Sequence, residues 1–229
     1  MTLFPTGILL FLWRNCKFPG ICLTYVCYAY IITLRTKELR EMKMSEVYGM
    51  NLYDFQAEAR DGSQVSLEQY RGKVVLVVNT ATGCGFTPQY QELQELYDAH
   101  QKDGLEILDF PCNQFGEQAP GTNEEIHTFC TGRFGITFPQ FAKIDVNGEN
   151  AVPLYKWLTE NTEFDGFDKN PTGLMMTQLL KKMDKDFQKT GSVKWNFTKF
   201  LIDREGNIAA RFEPTAAMKK VKAKVEEIL

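Results

Sequence analysis

The sequence is short of histidine and of clustered cysteine, and those two shortages argue against most metal chemistry. Only two histidines, His100 and His127, occur in 229 residues. The six cysteines (Cys16, Cys22, Cys27, Cys84, Cys112 and Cys130) include no C-x-x-C pair. A zinc site draws on clustered Cys and His ligands, so none is expected. Few cysteines in a long chain also argue against a secreted disulfide scaffold. They fit a reducing compartment, read here as the cytoplasm, where a functional cysteine is usually catalytic or redox-sensing. The net charge is only −3, which offers no basic surface to nucleic acid. Repeats and low-complexity tracts are missing as well. Apolar residues nevertheless make up 44% of the chain, enough for a buried core.

Residues 1–43 differ from the remainder. Positions 1–34 are strongly apolar, but Arg14, Lys17, Pro19 and Gly20 break the run. Each apolar piece is shorter than the ~20 residues that span a bilayer. No basic start and no small-residue cleavage site mark a secretory signal. Two readings stand: a weak membrane anchor with Arg35 and Lys37 on the cytoplasmic side, or an extension upstream of a true start at Met44.

Residues 44–229 read as one α/β domain. Phe55–Ala59 and Val65–Leu67 flank the turn Asp61-Gly62. "KVVLVVNT" is a continuous β-branched strand of the kind covered on both faces. A helix follows Thr87, with Tyr90, Leu93, Leu96 and Tyr97 on one side. "GLEILDFP" is a second strand, Asn123 opens a helix, and "FPQFAKIDVNG" is a third strand. "FTKFLIDREGNIAARF" is a hairpin around Glu205-Gly206. A last helix carries Met218, Val221, Val225 and Ile228 on one face. The long stretch 162–193 includes an amphipathic helix with Leu174, Leu179, Leu180 and Met183 set against lysines. Strand–helix alternation followed by a hairpin and a helix is the order of a thioredoxin-like fold, a central mixed sheet flanked by helices.

Within this frame Cys84 has an unusual setting, "NTATGCGFTPQY". It lies between a strand end and a helix start, flanked by Gly83 and Gly85. Thr87 suits an N-cap and Pro88 the first helical position. A helix N-terminus favours the thiolate, which is the nucleophilic form. The alternative is a buried inert cysteine. Disulfide-exchange proteins of this fold carry C-x-x-C at this point, whereas here Thr87 occupies the second position. A single attacking thiol suits peroxide reduction through a sulfenic acid.

"NTATGCGFTPQY", "DFPCNQFGEQAPGTNEEI" and "KWNFTKFLIDREGNI" together resemble the glutathione peroxidase family, in its cysteine-containing bacterial form. The likeness covers 47–229. It implies a peroxidatic Cys84 with Gln114, Trp195 and Asn196 completing a tetrad. N–H donors of those types stabilise a thiolate and a leaving alkoxide. The resemblance implies no metal or organic cofactor. Its partners are a hydroperoxide and a thiol donor, thioredoxin or glutathione. It also implies a resolving thiol in the helix after the second motif, where Cys130 lies, and Cys112 reads as structural. Oligomeric state stays open, because multimeric members carry an insertion near 162–193. A peroxide-sensing relay that passes its disulfide to a partner protein is the competing function.

Overall fold

A computed structural model describes residues 49–229. The readings made for residues 1–43 therefore lie outside the described residues. No helix among those described is long and apolar enough to cross a membrane.

The domain starts with a small antiparallel hairpin of β1 (Gln56–Glu58) and β2 (Gln64–Ser66). The main sheet holds β3 (Val74–Thr80), β4 (Leu105–Pro111), β5 (Lys199–Ile202) and β6 (Ile208–Phe212), in the order β4-β3-β5-β6. β3 and β4 are parallel, and β3/β5 and β5/β6 are antiparallel, so the sheet is mixed. The helices are α1 (Gln89–His100), α2 (Asn123–Phe134), α3 (Pro153–Glu160), α4 (Pro171–Met183) and α5 (Met218–Ile228). This is the thioredoxin-like arrangement expected from the order of elements.

All seven residues of β3 are buried, as its unbroken apolar run predicts. Its two-residue period divides them between the faces. Val74, Leu76 and Val78 join Tyr90, Leu93, Val221 and Val225 of α1 and α5. Val75 and Val77 join Leu154, Tyr155 and Leu158 of α3 and the N-terminal Leu52 and Phe55. Each such aliphatic side chain contributes about 1.5–3 kcal/mol when fully buried. Helices on both faces of β3 therefore fix the strand end that leads to Cys84.

Three local expectations are corrected. The segment 138–144 is not a regular strand. It makes single bridges, Gln140 to Asp109 and Phe141 to Ala59. Pro139 has no N–H to give a ladder, although its carbonyl accepts the Asp109 N–H at 3.0 Å. The next donors then diverge, Phe141 to Asp109 O and Ala142 to Glu58 O. Second, α4 forms as expected but buries Gly173, Met176 and Leu180, leaving Leu174, Leu179 and Met183 exposed. Third, Thr87 does not cap α1. The helix has Pro88 at its N-cap with no side-chain cap bond, and Thr87 is used elsewhere.

The β5–β6 hairpin turns at Gly206, whose φ of 91° is open to glycine. A Cβ there would also meet the Tyr53 ring at 2.8 Å. Arg211 of β6 ties the long 162–193 stretch to the sheet, donating to the carbonyls of Gly191 and Ser192 and pairing with Glu213 at 2.7 Å.

Candidate active site

Cys84 lies just past the C-terminal end of β3 and is 7% exposed. The chain turns there in a series of tight bonds, Thr87 N–H to Cys84 O and Tyr90 N–H to Thr87 O, that runs into α1. Thr87 Oγ1 accepts the Cys84 N–H at 3.0 Å and donates to Ala81 O at 2.9 Å. Its hydroxyl thus fixes the backbone on both sides of the thiol. The sulfur itself accepts the Phe86 N–H at 3.4 Å.

A second loop is stitched to the first. Gly83 N–H donates to Gln118 O at 2.8 Å, and a Cβ on Gly83 would meet that oxygen at 3.3 Å. A third loop joins at the Gln118 side chain, whose Oε1 accepts from Asn196 Nδ2 at 3.1 Å. Asn196 is fully buried and its Oδ1 has no hydrogen-bond partner. The Trp195-Asn196 turn is pinned to the end of β3 by Asn79. Asn79 Nδ2 donates to Trp195 O at 3.4 Å, and Asn79 O accepts the Phe197 N–H at 2.6 Å. Phe197 is held at φ 70°, an unfavourable backbone for a bulky side chain. It is fully buried and edge-on to Tyr90, with ring centroids 5.4 Å apart. Strain over-determined in this way is typical of functional turns. Trp195 packs on Phe115 and against the apolar cluster that contains Cys84.

The structure therefore brings together Cys84, Trp195 and Asn196 but not Gln114. The Gln114 amide closes a different turn: its Oε1 accepts from Val146 N–H at 2.8 Å and Asn147 N–H at 3.0 Å, and its Nε2 donates to Asn147 O at 2.9 Å. Both atoms of the amide are tied to that turn, the oxygen by two bonds and the nitrogen by one of its two N–H groups. Gln118, four residues on, is the glutamine that meets Asn196 and the thiol loop. Gly116 (φ 65°) and Glu117 (φ 54°) reverse the chain between them. Two glutamines stand in one motif, and the glycine between them was the signal that only the second returns to the first loop.

The other two described cysteines are buried, and no disulfide joins any of the three. Cys112 contacts Gln114 Oε1 at 3.7 Å, and burial pushes its thiol up to about 11. Cys130 is fully buried on α2 and its thiol is likewise pushed up to about 11, by burial first and by the Asp109 charge second. Both are poor nucleophiles where they sit. Beside Gly83 and Gln118 an open groove of about 780 Å³ runs along α2, floored by Ile126 and Phe129 and flanked by Glu117 and Glu125.

Comparison with known proteins accords with this geometry. The family model for glutathione peroxidase matches residues 52–159. A "Glutathione peroxidase homolog" of Neisseria meningitidis is 46% identical over 187 residues, covering 79% of this chain and all of that protein. The "Hydroperoxy fatty acid reductase gpx1" of Synechocystis sp. is 46% identical over 178 residues, covering 78% of this chain and 95% of that protein. Among solved structures, T. cruzi GPX1 is 33% identical with a TM-score of 0.55, covering 78% of this chain and 96% of that one. Sequence motifs, fold and relatives agree: the chain belongs to the glutathione peroxidase family and is a peroxidase of the oxidoreductase class.

Proposed function

We propose that this chain reduces H2O2 and organic hydroperoxides through Cys84, with Gln118, Trp195 and Asn196 as the donors around the reacting sulfur. The Cys84 thiolate attacks the distal peroxide oxygen. The O–O bond breaks, Cys84 becomes a sulfenic acid, and the other oxygen leaves with a proton as water or an alcohol. Preorganised N–H groups stabilise that leaving oxyanion. The observation that carries the reading is the Gln118–Asn196 bond on the loop tied to Gly83, which sets two amide side chains beside the thiol loop. The Synechocystis relative's name supports organic hydroperoxides within the substrate range.

The sulfenic acid is then resolved by Cys130. Cys130–SH and Cys84–SOH give a disulfide and water, and a dithiol donor of the thioredoxin type reduces the disulfide. Cys130 is buried on a packed helix, so the step requires α2 to open locally. The groove beside the thiol loop favours a protein donor over glutathione. Its lining includes Glu117 and Glu125 and no lysine or arginine, a poor match for a small anionic thiol.

Peroxide-dependent NADPH consumption tests this, run with thioredoxin/thioredoxin reductase and with glutathione/glutathione reductase. Thioredoxin-driven turnover is expected, abolished in Cys84→Ser and strongly reduced in Cys130→Ser. Turnover driven by glutathione alone and indifferent to Cys130→Ser would overturn the two-cysteine cycle. No turnover with either donor would favour a redox relay.

A further inference from the structure

The polar network beneath Cys130 has no part in the scheme above. Asp109 of β4 is fully buried. Its carboxylate accepts from Thr80 Oγ1 at 2.5 Å, Gln140 Nε2 at 2.7 Å and Tyr90 Oη at 3.0 Å. All three donors are neutral, and no ion pair among the described residues includes Asp109. Cys130 packs with Tyr90 in the same buried cluster. Gln140 Oε1 in turn meets His127 Nδ1 at 3.1 Å. The hydrogen bonds thus join β3, β4, α1 and the 138–144 segment and reach α2 at His127, while Cys130 packs beside them. The titratable groups that face Asp109 are Tyr90 from α1, Cys130 and, through Gln140, His127 from α2, and Tyr155 from α3. β3 offers Thr80 and the 138–144 segment offers Gln140, neither of which titrates.

A carboxylate buried among neutral donors costs free energy that an exposed one does not. Water reaching Asp109 would relieve that cost.

We propose that Asp109 is a positioning residue for the resolving step: its buried carboxylate, held without a cation, loads the closed seat of Cys130 and favours release of α2 toward Cys84. The inference rests on the reading that Cys130 resolves Cys84. The chemistry adds no reactant, because the Cys130 proton and the sulfenic hydroxyl leave together as water.

The sign of the pH dependence follows. Burial raises the Asp109 carboxyl to about 6, against the bonds from Thr80, Gln140 and Tyr90 that hold it down. The closed state therefore binds this proton more tightly than the open state. Closure is firmest below the ordinary carboxylate range, weakens as pH rises toward 6, and levels off above it. From this group alone, opening increases by roughly an order of magnitude between pH 4.5 and 7.5.

Release is measured on the Cys84→Ser chain, as the rate of Cys130 alkylation by iodoacetamide, located by mass spectrometry. Dividing by the rate for the urea-unfolded chain at the same pH removes the thiolate chemistry. The expected result is a rise of roughly an order of magnitude over that range, absent in Cys84→Ser/Asp109→Asn. The same rise in the double variant would assign it to His127 and overturn the proposal, as would a flat profile in the Cys84→Ser chain. If Asp109→Asn does not fold, hydrogen exchange of the wild-type α2 amides replaces it. After correction for intrinsic rates, those amides must gain more with pH than the amides of α3, and equal gains overturn the proposal. Unimpaired thioredoxin-driven turnover in Cys130→Ser would overturn it through the reading it rests on. Flat release would overturn it and leave that reading intact.

Discussion

At the scale of single residues, the two glutamines of one motif make different contacts, and the proposed mechanism gives them different roles. Gln118 gives its Oε1 to Asn196 beside the thiol loop, and Gln114 spends both amide atoms on the turn at Val146-Asn147. Gln118→Ala should lower kcat/KM for peroxide by about 100-fold, as for the loss of one transition-state donor, and also cost about 1–3 kcal/mol because the buried Asn196 amide loses its acceptor. Gln114→Ala should leave the rate intact and lower stability by about 1–3 kcal/mol, because Val146 and Asn147 lose their acceptor. Paired stopped-flow and urea-denaturation measurements distinguish them, and a Gln114→Ala enzyme that is stable but slow would restore the original assignment. Thr87 is a related case. Thr87→Val removes an acceptor from Cys84 N–H and a donor to Ala81 O, so it should cost about 1–3 kcal/mol and slow peroxide reduction together. A variant as stable as wild type would show that water replaces the hydroxyl.

At the scale of elements, α2 holds Cys130, and the proposed cycle depends on how readily this helix opens. Its start is a capping box: Thr122 Oγ1 accepts the Glu125 N–H at 3.3 Å, and Glu125 Oε2 accepts the Thr122 N–H at 2.8 Å. Thr122→Ala should cost about 1 kcal/mol, which is roughly a five-fold gain in exchange of the α2 amides. Exchange unchanged in α2 would mean that the helix opens from its C-terminal end. What the sequence disclosed about such elements depends on the kind of signal. β3 was legible because seven consecutive buried residues need no partner to be recognised. The Asn123 helix start was legible because Glu124 and Glu125 follow it. The 138–144 segment was not, because its apolar pattern matches a strand while the outcome depends on two different acceptors, Asp109 O and Glu58 O. The inward face of α4 was misread for a similar reason. Gly173 packs where a Cβ would meet Asp168 O at 2.0 Å, a backbone contact that side-chain hydropathy does not encode. Within the candidate site, Cys84 stood out by its setting and Trp195 and Asn196 only by the family resemblance, whereas placing Gln118 beside them required knowing the turn at Gly116-Glu117.

For the whole molecule, a net charge of −3 conceals charge buried where β5 and β6 meet α1. Lys199 is fully buried on β5, with Nζ donating to Gln89 Oε1 at 2.6 Å and Phe197 O at 2.8 Å. Burial pushes it down to about 7, while the carboxylates of Glu213 and Glu92 oppose the fall. Glu213 is itself committed to Arg211 at 2.7 Å, the residue that anchors the 162–193 stretch. The folded chain therefore binds the Lys199 proton less tightly than the unfolded chain, whose lysines titrate near ~10.4. Charged Lys199 is a cost to the fold below pH 7. Between pH 7 and 10 the unfolded state holds the extra proton, and the contribution of this residue to stability rises with pH by up to about 1.4 kcal/mol per unit. Lys199→Met removes the dependence along with the amine. Denaturation of both proteins at pH 7 and pH 9.5 should show wild type gaining on the variant at the higher pH. A difference that is constant across that range would mean that Glu213 and Glu92 hold Lys199 charged throughout, and that the buried amine is paired more strongly than its hydrogen bonds to Gln89 and Phe197 imply.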